Sequence, residues 1–295
     1  MAQTYPKPLG FLRNHTVARE IASLDPQRDH IRMVHLLTCY EFPWDMVRAL
    51  EVALMRTFAS PSISALLART GEFHQHGQKR YDDTAVLVAE FMQKGYDSPD
   101  GVRAIAQMNK IHGLFKIANE DFLYVLSTFV LDPIRWIDQY GWRKLTNPEM
   151  EALFQFFREI GLRMHLKQVP ATLADLQRFA QDYQDRCFKY HPTNAHVADA
   201  TVRIMAGWYP KLFTPLVKPA VRALLDADMR RAFGYADPSP WLRACLNGGL
   251  GIRARFIRHF NFGSSPRLLT NSLIRTYPQG YAIEDVGPAK IVNKS

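Results

Sequence analysis

The sequence predicts an all-α fold, a single large helical bundle, on three observations. Apolar residues recur at three- and four-residue spacings nearly throughout. Alternating strand patterns and Asn-Gly hairpin signals are almost absent. Helix starts recur as a capping residue before a proline, at Asp25-Pro26, Ser98-Pro99 and Asn147-Pro148. No linker, low-complexity break or internal repeat divides the chain, so one helical domain is expected over residues 1–260, followed by an irregular basic tail over 261–295.

The elements follow in order. Asp25-Pro26 opens a helix over 26–38, and apolar periodicity predicts helices over 43–59 and 61–69. Gly71–Lys79 reads as a loop, after which Asp82 and Asp83 in a first turn suit the dipole of a helix over 82–94. Ser98 caps a helix over 99–116, and Phe122–Leu131 forms the body of one over 119–131. Helices over 147–165 and 172–190 come next, the second opened by Thr172 with Asp175, a capping box with Asp in place of Glu. The last three span 193–207, 215–233 and 239–258. Gly95–Asp97, Trp142–Thr146 and Lys167–Pro170 read as loops, and the Gly-, Ser- and Pro-rich tail after Asn261 as irregular.

Composition narrows the class. With 295 residues, 47% hydrophobic and 22% charged, the chain can bury a sizeable core, which excludes a disordered tail protein or a coiled-coil rod. Cys39, Cys187 and Cys245 are odd in number and widely spaced, which excludes a disulfide scaffold, a cysteine zinc site and covalent c-type haem attachment. Reduced thiols fit a cytoplasmic protein. The N-terminal residues lack the apolar core of a secretion signal. The longest apolar stretch, ten residues, falls short of the roughly 20 that a bilayer span needs. Membrane contact would therefore be peripheral.

The formal charge is +9, and seven basic residues against two acidic ones from Gly251 to Ser295 supply +5 of it. They are Arg253, Arg255, Arg258, Arg267, Arg275, Lys290 and Lys294. The first three, with Phe256, Ile257 and Phe260, read either as a basic amphipathic surface for lipid headgroups or as an ordinary solvated face.

Few residues carry candidate chemistry. His112 lies four residues after Met108 and seven after Ile105, on the apolar side of its helix. It is either a hydrogen-bonded core histidine or an axial ligand, since a neutral imidazole in an apolar pocket is what haem iron takes on its proximal side. Arg80 and Thr84, four apart, share a face. They belong either to a capping cluster or to a charged donor and hydroxyl aimed into one cavity, able to hold an anionic group or a polar oxygen species. Asp82-Asp83 lacks the further carboxylates of the magnesium motif of helical terpenoid synthases. Glu72, His74 and His76 could ligate metal but sit in a Gly-flanked polar stretch, and Cys187 with His191 makes only two ligands. Walker A, GxGxxG after a strand, HExxH and GxSxG motifs are absent.

The blocks TGEFHQHGQKRYDDTAVLVAEF and YDSPDGVRAIAQMNKIHGLFKIANEDFLYVLSTFVLDPIRWIDQYGWR resemble the catalytic domain of MpaB-type oxygenases and rubber oxygenases (latex clearing proteins). The likeness continues through EIGLRMHLKQVPATLADLQRFAQDY and covers roughly residues 35–235. The resemblance implies an all-α bundle enclosing a pocket for non-covalently bound haem b (heme b). It implies oxidative chemistry with dioxygen on an apolar, isoprenoid- or lipid-like small molecule. It makes His112 the proximal iron ligand and places Arg80 and Thr84 over the haem as catalytic and cofactor-binding residues. Asn109 matches an asparagine of the MpaB-like branch and joins the cofactor-binding set. Rubber oxygenases carry a lysine before the threonine; here that position is Asp83, which leaves Lys79 as the nearby lysine. Glu72 is a candidate for the family's base.

Two other classes remain at this point: a helical lipid- or membrane-surface-binding protein without redox activity, and a nucleic-acid binder. The second rests on charge alone, with no recognised motif, so no nucleic acid is expected.

Overall fold

Local signals and long-range burial together set fourteen α-helices among the described residues, 11–260 and 266–288, of the computed structural model. Lys290 and Lys294 lie outside those residues, as do 1–10 and 261–265. The one β pairing among the described residues is an isolated bridge between Leu12 and Phe260.

In chain order the helices are α1 (Thr16–Ser23), α2 (His30–Leu36), α3 (Pro43–Thr57), α4 (Pro61–Thr70) and α5 (Glu72–Gln75). Next come α6 (Gly77–Lys94), α7 (Pro99–His112), α8 (Asn119–Tyr140), α9 (Asn147–Arg163) and α10 (Leu173–Cys187). The last four are α11 (Pro192–Ala206), α12 (Thr214–Leu224), α13 (Ala227–Phe233) and α14 (Pro240–His259). A π-helical turn, Leu37–Glu41, carries α2 towards α3.

Side-chain capping explains six of the fourteen starts. The Ser98 hydroxyl accepts the Gly101 amide at 3.0 Å, and Thr172 accepts that of Asp175 at 3.1 Å. Thr146, one residue before the expected cap, forms a reciprocal capping box with Glu149. Asp25 instead holds the amides of Gln27 and Arg28, at 2.8 and 3.0 Å, so its turn precedes a helix that begins only at His30.

Several further elements depart from the sequence expectations. α1 precedes the first anticipated helix. α7 stops at His112, four residues short of the expected end. The span expected as one helix over 215–233 breaks into α12 and α13 at Asp226, whose carboxylate caps Met229 at 2.9 Å. α8 passes through Pro133 and ends nine residues later than expected, because its last two turns bury Trp136, Ile137 and Tyr140. A proline inside a helix costs about 3 kcal/mol, and each large apolar side chain buried returns about 1.5–3 kcal/mol.

α8 is the axis of the bundle, packed on α3, α9 and α10. The main core gathers Phe91, Tyr124, Phe154, Phe156, Phe157 and Tyr183 around it. A smaller cluster with Phe58, Phe73, Val197 and Phe233 lies beneath α4, α5, α11 and α13. Between them Arg56 of α3 donates to Asp132 of α8 at 2.8 and 3.0 Å and to Asp226 at 2.5 Å. Residues 266–288 run back over α6 and α7 as irregular backbone with two short 3-10 turns, Leu269–Asn271 and Ile283–Asp285.

Candidate functional site

The stretch expected as a loop, Gly71–Lys79, is largely helical, and this decides where Arg80 points. Gly71 ends α4 at a positive φ of 71°, a left-handed cap that favours glycine. Gly77 starts α6 pressed against α11, where a Cβ would stand 2.5 Å from Ile204 Cδ1. These glycines read as loop signals in the sequence, yet they serve a cap and a close helix crossing. Arg80 therefore lies in the first turn of α6, its amide bonded to the His76 carbonyl at 2.9 Å.

The Arg80 guanidinium donates to the Thr84 hydroxyl, which also reaches the Arg80 carbonyl at 3.2 Å. Its carbon stands 5.4 Å from the centre of the Phe73 ring. Burial lowers the Arg80 pKa, with Asp83 and Glu72 opposing that shift through their charges. Arg80 and Thr84 are thus joined on one face, while the neighbouring residues of α6 turn elsewhere.

His112 is the last residue of α7, which packs along α6. Its ring meets the edge of Phe122 in the first turn of α8, with centroids 5.2 Å apart. Its Nδ1 is buried and has no hydrogen-bond partner among the described residues. Burial, reinforced by the Arg80 cation, pushes its pKa down to about 4. The imidazole is consequently neutral near pH 7, within the field of the Arg80–Thr84 pair. Most buried polar atoms find a partner; this one shares its state with Thr38 Oγ1, Arg48 Nε, Glu90 Oε2, Arg158 Nε and Arg222 Nε, and is the one imidazole nitrogen among them.

The other sequence candidates go to separate places. The Asn109 amide donates to the Arg163 carbonyl at 3.0 Å, fastening the last turn of α7 to the end of α9. Lys79 is held by Asp83 at 2.9 Å, the Tyr277 hydroxyl at 3.0 Å and the Gly287 carbonyl at 2.6 Å. It is anchored in that cluster rather than standing in for the lysine of rubber oxygenases. Asp82 receives the Thr276 amide at 2.9 Å and its hydroxyl at 2.5 Å. The two aspartates therefore hold the returning C-terminal segment instead of capping a helix.

His74 is exposed and stacks on His196 at 4.9 Å. His191 caps α11 through Nδ1 and Thr193, apart from Cys187. Among the described residues no three His, Cys, Asp or Glu cluster to hold a bare metal ion. Arg253, read either as part of a headgroup surface or of a solvated face, turns inward instead, to buried Asp45 at 2.9 and 3.2 Å, and covers Trp44 at 3.8 Å.

Sequence reasoning missed Phe122 and Phe73, the aromatic walls beside His112 and Arg80. Phe122 stood at the head of the apolar stretch, where only its place opposite the end of α7 distinguishes it from core. It also missed Tyr277 and Gly287, which no local pattern connects to α6.

The family model described as "ER-bound oxygenase mpaB/B'/Rubber oxygenase, catalytic domain" matches residues 43–256. Among curated relatives, the ER-bound oxygenase mpaB' of Penicillium brevicompactum is 28% identical over 239 residues, covering 75% of this chain and 56% of the relative. The ER-bound oxygenase mpaB of Penicillium roqueforti (strain FM164) is 27% identical over 215 residues, 67% of this chain and 72% of the relative. That of Penicillium brevicompactum is 30% identical over 188 residues, 57% of this chain and 48% of the relative. The chain therefore spans 56% and 48% of the length of the two Penicillium brevicompactum proteins.

Proposed function

This chain belongs to the mpaB/rubber oxygenase catalytic-domain family, and from that premise we propose that it is a haem b-dependent oxygenase acting with dioxygen on an apolar, isoprenoid- or lipid-like substrate. The observation that carries the reading is the unpaired, buried Nδ1 of a neutral His112. An imidazole that is already deprotonated offers a metal its lone pair without first losing a proton. With no cluster of three ligating side chains among the described residues, an iron held here would bring most of its ligands with it, as a porphyrin does.

His112 would hold the iron, and Asn109 would serve the cofactor by fixing the turn of α7 that carries His112. Haem b, when bound, supplies the dioxygen and one-electron chemistry. Arg80 presents a partly buried positive charge, oriented by its bond to Thr84. Such a donor stabilises negative charge developing on oxygen more strongly than it could in water. Phe73 and Phe122 present apolar surface and help exclude water. The three cysteines are unpaired, which supports a cytoplasmic location. No helix among the described residues is long and apolar enough to cross a membrane, and peripheral contact is the mode proposed.

Haem reconstitution tests the reading. Wild-type protein is expected to show a Soret band that His112→Ala abolishes, while Arg80→Leu keeps the band and loses dioxygen-dependent turnover. A wild-type protein that stays colourless after reconstitution would overturn it in favour of a lipid-binding protein without redox activity.

A further inference from the structure

Helix α14 is 20 residues long and buries none of them. It rests on α12 and α8, and Leu250 and Ile257 pack its inner side against the main core. At the helical angle per residue, Trp241, Cys245, Gly248, Gly249 and Ile252 fall on one stripe of the opposite side. Trp241 is 75% exposed and Ile252 67%, and a Cβ at Gly248 or Gly249 would meet no atom within 4 Å. The neighbouring α12 and the 3-10 turn before it (Lys211–Phe213) expose a second apolar ridge, with Leu212 at 81% and Leu216 at 66%. Large apolar side chains so exposed on adjacent elements mark an interaction surface.

Charge identifies the partner. The sequence has no Asp or Glu between Asp199 and Asp226, nor between Asp237 and Glu284. Lys211 beside Leu212 and Arg255 on the flank of the outer stripe of α14 stand along these ridges without an ion pair among the described residues. A second copy meeting this face through two-fold symmetry would set cation against cation. An anionic bilayer offers the complementary pair, negative headgroups for the cations and an acyl boundary for Trp, Leu and Ile.

We propose that the turn before α12, α12 itself and the outer stripe of α14 form a docking surface for an anionic lipid bilayer. Leu212, Leu216 and Trp241 enter the headgroup–acyl boundary, and Lys211 and Arg255 meet the headgroups. This deepens the peripheral membrane contact stated above and needs no haem, so its failure and that of the haem reading are separable.

The test is sedimentation of the full chain, with and without haem reconstitution, on phosphatidylcholine vesicles with or without phosphatidylserine. Binding is expected to require phosphatidylserine and to weaken as salt rises. Trp241→Glu and the double variant Leu212→Glu with Leu216→Glu are expected to bind roughly tenfold or more weakly. They should keep the wild-type helical circular dichroism, because these side chains are exposed. Failure to bind anionic vesicles at low salt would overturn the proposal, as would binding that these substitutions leave unchanged. A dimer in light scattering that Trp241→Glu dissociates would assign the surface to a second copy instead.

Discussion

Helices α3 and α8 bury Arg56 against Asp132 at 2.8 Å and Asp226 at 2.5 Å, whereas α6 and α7 hold an imidazole whose buried Nδ1 has no partner among the described residues. In the first region each charge answers another. Arg143 likewise lies between Glu41 at 3.0 Å and Glu149 at 2.6 Å, and Arg253 against Asp45 at 2.9 Å. In the second region Arg80 is tied to a neutral hydroxyl and acts on His112 as an unfavourable neighbour for its protonated form. The difference separates polar groups that hold the fold from polar groups held by the fold. The first lose stability when cut; the second are carried at some cost, which the cofactor-holding role proposed above would account for.

Three experiments probe that contrast, in order of expected effect. Asp132→Ala strands the buried Arg56 with only the partly exposed Asp226. Urea unfolding should then show a loss of about 3–5 kcal/mol, and a loss below about 1 kcal/mol would break the comparison.

The second uses pH on haem-free protein. The pKa of His112 lies near 4 in the fold and near 6.5 when unfolded, so on acidification the unfolded chain takes the proton first. Its contribution to stability is fully present above pH 6.5 and is lost as pH falls through 4, by about 3 kcal/mol in all. His112→Leu should remove that slope and, at pH 7, leave stability equal or higher by about 1 kcal/mol, since it deletes an unsatisfied buried polar atom. A destabilised His112→Leu with an unchanged slope would place His112 among the structural groups.

The third and smallest concerns the far side of α6. Tyr277→Phe removes the hydroxyl that joins Asp83 and Lys79. Hydrogen exchange should show residues 276–287 opening more readily by about 1.5 kcal/mol, with the midpoint of global unfolding unmoved. Global destabilisation would show that this segment belongs to the central network.

Legibility in the sequence followed the range of the interaction. The Ser98, Thr146 and Thr172 caps act within three residues, and their helices were found with small errors at the ends. Asp226 carried a readable cap signal that the apolar periodicity of 215–233 concealed. The helix expected over 119–131 runs on to Tyr140 because Trp136 and Tyr140 are buried against α3 and α14, which is invisible along the chain. At the candidate site, spacing alone placed Arg80 beside Thr84, one turn apart on a helix. That His112 would feel Arg80, and that Phe122 would face it, needed three helices to meet.

By itself the sequence determined the all-α class, most of the helices and the ordered blocks that carry the family likeness. These depend on a 3.6-residue period and on caps, which are local and written in consecutive residues. Only the tertiary structure decided which polar atoms found partners. Lys79 is locked by Tyr277 and Gly287, Arg253 turns in to Asp45, and His112 Nδ1 is left unpaired among the described residues. Each outcome joins or fails to join groups far apart in the chain, and the packing of side chains between them sets it.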